Sequence, residues 1–171
     1  MAARSATEPV RIRALLADIT TLEVDAVVTA ANQWLRGGGG VDGAVHRAAG
    51  PELLAACRAL GGCPVGEARI TPGFRLTARH VIHAVGPEWR GGGQREAALL
   101  ASAYRASLAL LRAVGGRSIA FPAISIGVFR FPPAEATAIA VATLAEAADL
   151  DITVACFSAE ILALYEKELG A

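Results

Sequence analysis

The run VDAVVTAANQWLRGGGGVDGAVHRAAG, from Val24 to Gly50, holds a strand signal, a loop and a helix signal in direct succession. Asp25 to Val28 closes in a short apolar run without polar alternation, the pattern of a strand buried on both faces. From Asp42 a helical pattern runs to Leu60, interrupted or reset near Gly50-Pro51, with Leu53, Leu54 and Cys57 at helical spacing. Between the two stand four consecutive glycines, Gly37 to Gly40. Glycine adopts backbone angles closed to other residues and lets a ligand approach the main chain. The start of a helix offers unpaired N–H groups and a partial positive charge to anions. A surface linker is also glycine-rich, but the position between a buried strand and a helix favours a ligand cradle.

Outward from this stretch the signals keep alternating. Val10 to Leu16, Ala68 to Thr71, Arg79 to Val85, Ser118 to Ala123 and Ile152 to Phe157 read as strands. Gln94 to Val114 reads as an amphipathic helix stopped by Gly115-Gly116, Pro133 to Ala148 as a helix with proline in its first turn, and Ala159 to Leu169 as a closing helix. Strands separated by helices require crossover connections. The expected fold is therefore a three-layer α/β/α sandwich with a mixed, largely parallel central sheet. Residues 1–9 read as a frayed terminus and residues 10–171 as one domain.

Composition bounds the function. The 171 residues are 54% hydrophobic and 19% charged, a globular balance. Sixteen basic and sixteen acidic residues cancel, which argues against broad adhesion to nucleic acid or to an anionic membrane but permits a local anion site. The apolar stretch Ala134 to Leu150 carries Glu135, Glu146 and Asp149, so a membrane span is not expected. Cys57, Cys63 and Cys156 form no CxxC pair and no even-numbered framework, which points to reduced thiols and a cytoplasmic setting.

Open α/β sheets place ligands beyond the C-terminal ends of their strands. Three loops qualify: Thr29-Ala30-Ala31-Asn32 running into the glycines, Ser125 to Phe129, and Phe157-Ser158. Gly38, Gly40 and Gly43 match G-x-G-x-x-G, but the loop is too long after its strand and no acid stands about 20 residues later, so a nicotinamide site is disfavoured. There is no P-loop sequence. Asp42 and His46, four apart, share a helix face; His46 reads as a packing or loop-orienting residue. Asp42 can cap backbone N–H groups or bind hydroxyls and activate water. His80 and His83 point to opposite faces of a strand and cannot chelate one metal. With no Cys/His cluster of ligand spacing, no metal site is expected. Ser125 lacks a G-x-S-x-G surround, and Cys57 falls in an apolar stripe.

Read together and in order, Ala17-Asp18-Ile19-Thr20, the 24–32 run, Gly37 to Gly50, Val81 to Pro87 and Phe121 to Ser125 resemble the macrodomain family. The likeness extends from Asp18 to the last helix and is nearest to the branch that hydrolyses O-acetyl-ADP-ribose and mono-ADP-ribosylated proteins. It implies ADP-ribose and its esters as ligands, mono-ADP-ribosylated proteins as further partners, and no cofactor or metal. By the same resemblance Asp18 would accept from the adenine amino group with Ile19 alongside. Gly40, Val41, Gly43 and Ala44 at the helix start, with Ser125, Ile126, Gly127, Val128 and Phe129, would wrap the diphosphate and distal ribose. Phe157 would lie near the adenine. Asn32 and Asp42 would hold the distal ribose hydroxyls, Asp42 also positioning the attacking water.

Six positions depart from the family's usual residues. Thr29 stands where Asn opens Asn-Ala-Ala-Asn, Ala17 where Gly precedes the first Asp, and Ser158 where an acid is common. Ser125-Ile126-Gly127-Val128-Phe129-Arg130-Phe131-Pro132 replaces Ser-Thr-Gly-Val-(Phe/Tyr)-Gly-Tyr-Pro. Ile126 gives up a hydroxyl, about 0.5–1.5 kcal/mol if bonded, and Arg130 adds a cation able to offset it. The alternative reading is a non-catalytic ADP-ribose-binding module.

Overall fold

A computed structural model describes residues 12–170. The expected frayed terminus, and Val10 and Arg11 of the first expected strand, lie outside the described residues. Six strands form one sheet: β1 (Ile12–Leu16), β2 (Ala26–Ala30), β3 (Ala68–Pro72), β4 (His80–Ala84), β5 (Ser118–Phe121) and β6 (Asp151–Cys156). Their order across the sheet is β1-β6-β5-β2-β4-β3. All neighbours are parallel except β3, which pairs antiparallel with β4 at the edge. The sandwich architecture and mixed sheet expected from the sequence are present.

Five helices cover the two faces: α1 (Gly40–Ala49), α2 (Pro51–Leu60), α3 (Glu96–Ala113), α4 (Pro133–Leu144) and α5 (Ala159–Leu169). Period-two alternation in the strands divides the core. Val28, Ile82, Ile119, Phe121, Ile152 and Val154 pack with α3, α4 and α5. Val27, Val81 and Ala120 face the opposite way, against Val45 and Ala49 of α1 and Leu53 and Cys57 of α2. The helical pattern from 42 to 60 splits into two helices at Gly50, whose φ of 92° lies outside the helical region, and Pro51 starts the second where its missing N–H costs nothing.

Two boundary shifts bear on the site. β2 runs on through Thr29 and Ala30, which the sequence placed in a loop, because both pair with His83 and Ala84 of β4. Thr29 is two residues beyond Val27, so its side chain faces α1 as Val27 does. α4 ends at Leu144 rather than Ala148, and the chain turns through Ala145–Ala148 with Ala147 buried.

Candidate functional site

The parallel strands β1, β6, β5 and β2 end along one edge of the sheet, and their following loops stand in that spatial order. Asp18 and Ile19 follow β1, Phe157 follows β6, Ser125 to Arg130 follow β5, and Asn32 with the glycine loop follows β2. Three strand spacings separate the first from the last, about 14 Å. An extended ligand laid along this edge would meet all four loops.

At the β1 end, Asp18 caps the short 3-10 turn Ile19–Thr21, its Oδ1 accepting from the Thr20 N–H (3.0 Å) and hydroxyl (2.7 Å). The carboxylate is exposed and fixed in direction, while Ile19 is buried under it. Phe157 is 59% exposed, an apolar ring held at the edge by Ser158, which caps α5 by accepting from the Ile161 N–H at 3.2 Å. Capping is thus the work of the residue that replaces the family's acid.

The β5 loop is bound to its neighbours from below. The Ser125 hydroxyl donates to the Pro87 carbonyl at 2.7 Å, so its side chain is turned away from the edge. Gly86 must be glycine, since a Cβ there would run into Ser125 Oγ and Ile124. Trp89 N–H donates to the Phe129 carbonyl at 2.7 Å, and the Trp89 ring lies 4.8 Å from that of Phe131. Ile126 packs against the α3–α5 side of the core. In place of a hydroxyl donor it contributes an anchor. Ser125 and Arg130 take positive φ (66° and 60°), as does Gly127 (104°), and Arg130 N–H closes on the Gly127 carbonyl at 2.9 Å. The result is a tight turn that leaves Val128 91% exposed and the Arg130 side chain exposed.

At the β2 end, Gly39 precedes α1 with no side chain capping the first turn. Its N–H groups are therefore free to meet an anion. Gly43 packs against the loop so closely that a Cβ would stand 2.5 Å from the Gly38 carbonyl oxygen. Val41 and Ala44, on the same first turn, are half-buried. Asp42 is buried, and the Thr29 hydroxyl donates to its Oδ1 at 3.0 Å. Burial pushes the Asp42 carboxyl above its usual 3.8, while the Thr29 hydrogen bond and the nearby His46 pull the other way. His46 Nε2 lies 3.7 Å from Asp42 Oδ1. The two expected catalytic residues flank the glycine loop differently: Asp42 is buried against Thr29 and His46. Asn32 instead braces its own loop: Oδ1 accepts from Trp34 N–H (3.1 Å) and Nδ2 donates to the Gly37 carbonyl (2.9 Å).

Among the described residues the fold also gathers His46, Cys57 and His83, with donor atoms within 4.8 Å of one another. Sequence spacing gave no sign of this cluster, because its members come from α1, α2 and β4. Its geometry does not suit a metal. Cys57 Sγ lies 3.8 and 3.7 Å from the two His83 ring nitrogens, nearly equidistant, hence off both in-plane lone pairs. His83 Nε2 is engaged by the Thr71 hydroxyl at 3.0 Å. Burial, with His46 nearby, pushes His83 down to about 4, and burial, with Asp42 nearby, pushes the Cys57 thiol up to about 11. At neutral pH the imidazole and the thiol are uncharged packing groups beneath Asp42.

Residues 28–140 match the family described as Macro domain. The chain belongs to the macro domain family. A macro domain-containing protein of Ralstonia nicotianae is 65% identical over 163 residues, spanning 94% of this chain and 95% of the relative. A protein of Citrobacter rodentium named O-acetyl-ADP-ribose deacetylase is 54% identical, over 93% and 95% of the two chains. The Trypanosoma brucei macrodomain solved in complex with ADP-ribose superposes with a TM-score of 0.84 at 41% identity, covering 91% of this chain and 68% of that one. Within this macrodomain the contact that sequence reasoning missed is that of Thr29, noted only as a departure from the family's Asn, with the Asp42 carboxylate. The period-two alternation continuing from Val27 was the available signal.

Proposed function

We propose that this macrodomain binds ADP-ribose along the C-terminal edge of its sheet and hydrolyses esters at the distal ribose. The substrates would be O-acetyl-ADP-ribose and ADP-ribosyl esters of acidic side chains. The observation that carries the proposal is Asp42: a buried carboxylate, held by Thr29, at the uncapped start of α1 beside the glycine loop. The name of the Citrobacter relative and the ligand of the Trypanosoma structure support the same reading.

The site's own residues suggest the steps. Backbone N–H groups of the Ser125–Arg130 turn and of the α1 start receive the diphosphate. Asp18 and Phe157 receive the adenine end, Phe129 the distal ribose. Asp42, its carboxyl raised above the usual 3.8 by burial, accepts a hydrogen bond from water and orients it toward the ester carbonyl carbon. The water oxygen bonds to that carbon, the acyl–oxygen bond breaks, and a proton from the water ends on the departing ribose hydroxyl. ADP-ribose and a carboxylic acid result.

The test is turnover of O-acetyl-ADP-ribose by the wild type and by Asp42→Ala. Turnover reduced at least a hundredfold in the variant supports the proposal; a silent wild type or an unaffected variant removes it. A second reading, an ADP-ribose-binding module without useful catalysis, is favoured by the Asn32 amide, whose two hydrogen bonds are spent within its own loop. Calorimetric binding of ADP-ribose without turnover decides for that reading.

A further inference from the structure

Next to the glycine loop lies a groove of about 730 Å³ lined by Gln33, Trp34, Arg36, Arg58, Gly61 and Gly62. We propose that it receives the acidic polypeptide stretch around an ADP-ribosylated Asp or Glu, making the groove the acceptor-side subsite of the enzyme. This rests on the ester-hydrolase reading above.

Position points to the acceptor. Adenine, diphosphate and distal ribose would occupy β1, β6, β5 and β2 in turn, so whatever is esterified to the distal ribose continues beyond β2, on the Asp42 side. The groove begins there. Arg36 adjoins Gly37 in sequence, and a Cβ on Gly38 would stand 3.8 Å from Asp42 Oδ2. An acetyl group would leave such a volume empty; several residues of an extended chain would fill it.

Chemistry points to an acidic chain. Arg36 and Arg58 are exposed and, among the described residues, neither guanidinium makes a hydrogen bond or ion pair. Arg105 and Arg112, by contrast, are each held by a carboxylate at 2.8 and 2.7 Å. Two free guanidinium forks in one groove match carboxylates in bidentate geometry. Trp34 presents 61% of its surface to solvent, a flat apolar face for the stems of Glu residues or for the peptide plane. The wall is rigid. Trp34 N–H is tied to Asn32 Oδ1, Cys63 N–H donates to the Gln33 carbonyl at 2.8 Å, and Gly62 (φ 105°) has no room for a Cβ, which would stand 2.9 Å from the same carbonyl oxygen. Zero net charge over the whole chain makes extended nucleic acid the weaker fit.

The experiment uses four probes in calorimetry: ADP-ribose; a Glu/Asp-rich peptide carrying ADP-ribose through a hydrolysis-resistant amide; the same peptide unmodified; and an oligoadenylate RNA. The wild type is expected to bind the conjugate at least tenfold tighter than ADP-ribose. In the Arg36→Glu/Arg58→Glu double variant that gain disappears, with ADP-ribose affinity within twofold of wild type. A conjugate without gain, a gain surviving the double variant, or a gain kept when the peptide's acids become Gln and Asn overturns the proposal. So does RNA binding tighter than the conjugate and lost in the double variant. If ADP-ribose itself fails to bind, the functional reading falls separately. The unmodified peptide then tests the groove alone: weak binding abolished by the double variant supports it, and no binding overturns it.

Discussion

Gly43→Ala separates folding from function at the glycine loop. Gly43 lies within α1, and its φ is not in the left-handed region, so alanine is locally the better helix former by about 1 kcal/mol. Its methyl group would nevertheless stand 2.5 Å from the Gly38 carbonyl oxygen, about 0.9 Å inside the 3.4 Å of ordinary contact. The Gly38 carbonyl belongs to a run of four glycines with open space beside Gly39 and Gly40, so the loop yields before the helix does. Overpacking against a backbone carbonyl costs about 1–3 kcal/mol, partly offset by the helix gain of about 1 kcal/mol, so net stability should fall by about 0–2 kcal/mol. The loop, however, moves by most of that 0.9 Å, beside Asp42. A displacement of about 1 Å at a reacting centre costs on the order of 100-fold in rate. Thermal unfolding and O-acetyl-ADP-ribose turnover, measured on the same preparation, check both numbers. Unchanged turnover would refute the claim that the loop backbone sets the site. A stability loss of several kcal/mol would refute the claim that the loop is the compliant partner.

Two further predictions use pH. Burial raises the Asp42 pKa, so the folded protein holds that proton more tightly than the unfolded chain, and stability falls as pH climbs from 3.8 through the raised value. Asp42→Asn should therefore melt at higher temperature than wild type at pH 7 while losing turnover, and the two melting curves should converge below pH 4. His83 acts with the opposite sign: held down to about 4, it remains neutral when folded while the unfolded chain takes up a proton below 6.5. Its contribution, on the order of 3 kcal/mol, is complete above pH 6.5 and is lost as pH falls to about 4. His83→Gln, which keeps a partner for Thr71, should flatten stability between those limits; an unflattened profile assigns the acid sensitivity elsewhere.

The strands, helices and glycine loop were legible because their signals are local. Periodicity of two or 3.6, a proline at the start of a helix and a glycine at its end each act within a few residues of themselves. The same locality explains the errors. β2 extends through Thr29 because β4 offers His83 and Ala84 as partners 54 residues away, and no window around Thr29 contains that fact. Asp42 could be singled out from its place at a helix start, yet its burial, its Thr29 partner and its raised pKa depend on α1 lying against the sheet. Asn32 and Ser125 carried the right residue types for a binding edge, but side-chain direction is set by whichever polar group packing brings nearest: the Gly37 carbonyl and Trp34 N–H for one, the Pro87 carbonyl for the other.

By itself, then, the sequence determined the layered α/β/α architecture, the glycine-rich approach to α1 and the loops that line the edge. Only the tertiary structure decided the strand order that sets those loops in line, the gathering of His46, Cys57 and His83 beneath Asp42, and the groove between Trp34, Arg36 and Arg58. Those features join residues far apart in the chain, and their free energy comes from burial and desolvation that exist only once the sheet and its two helical layers have closed on each other.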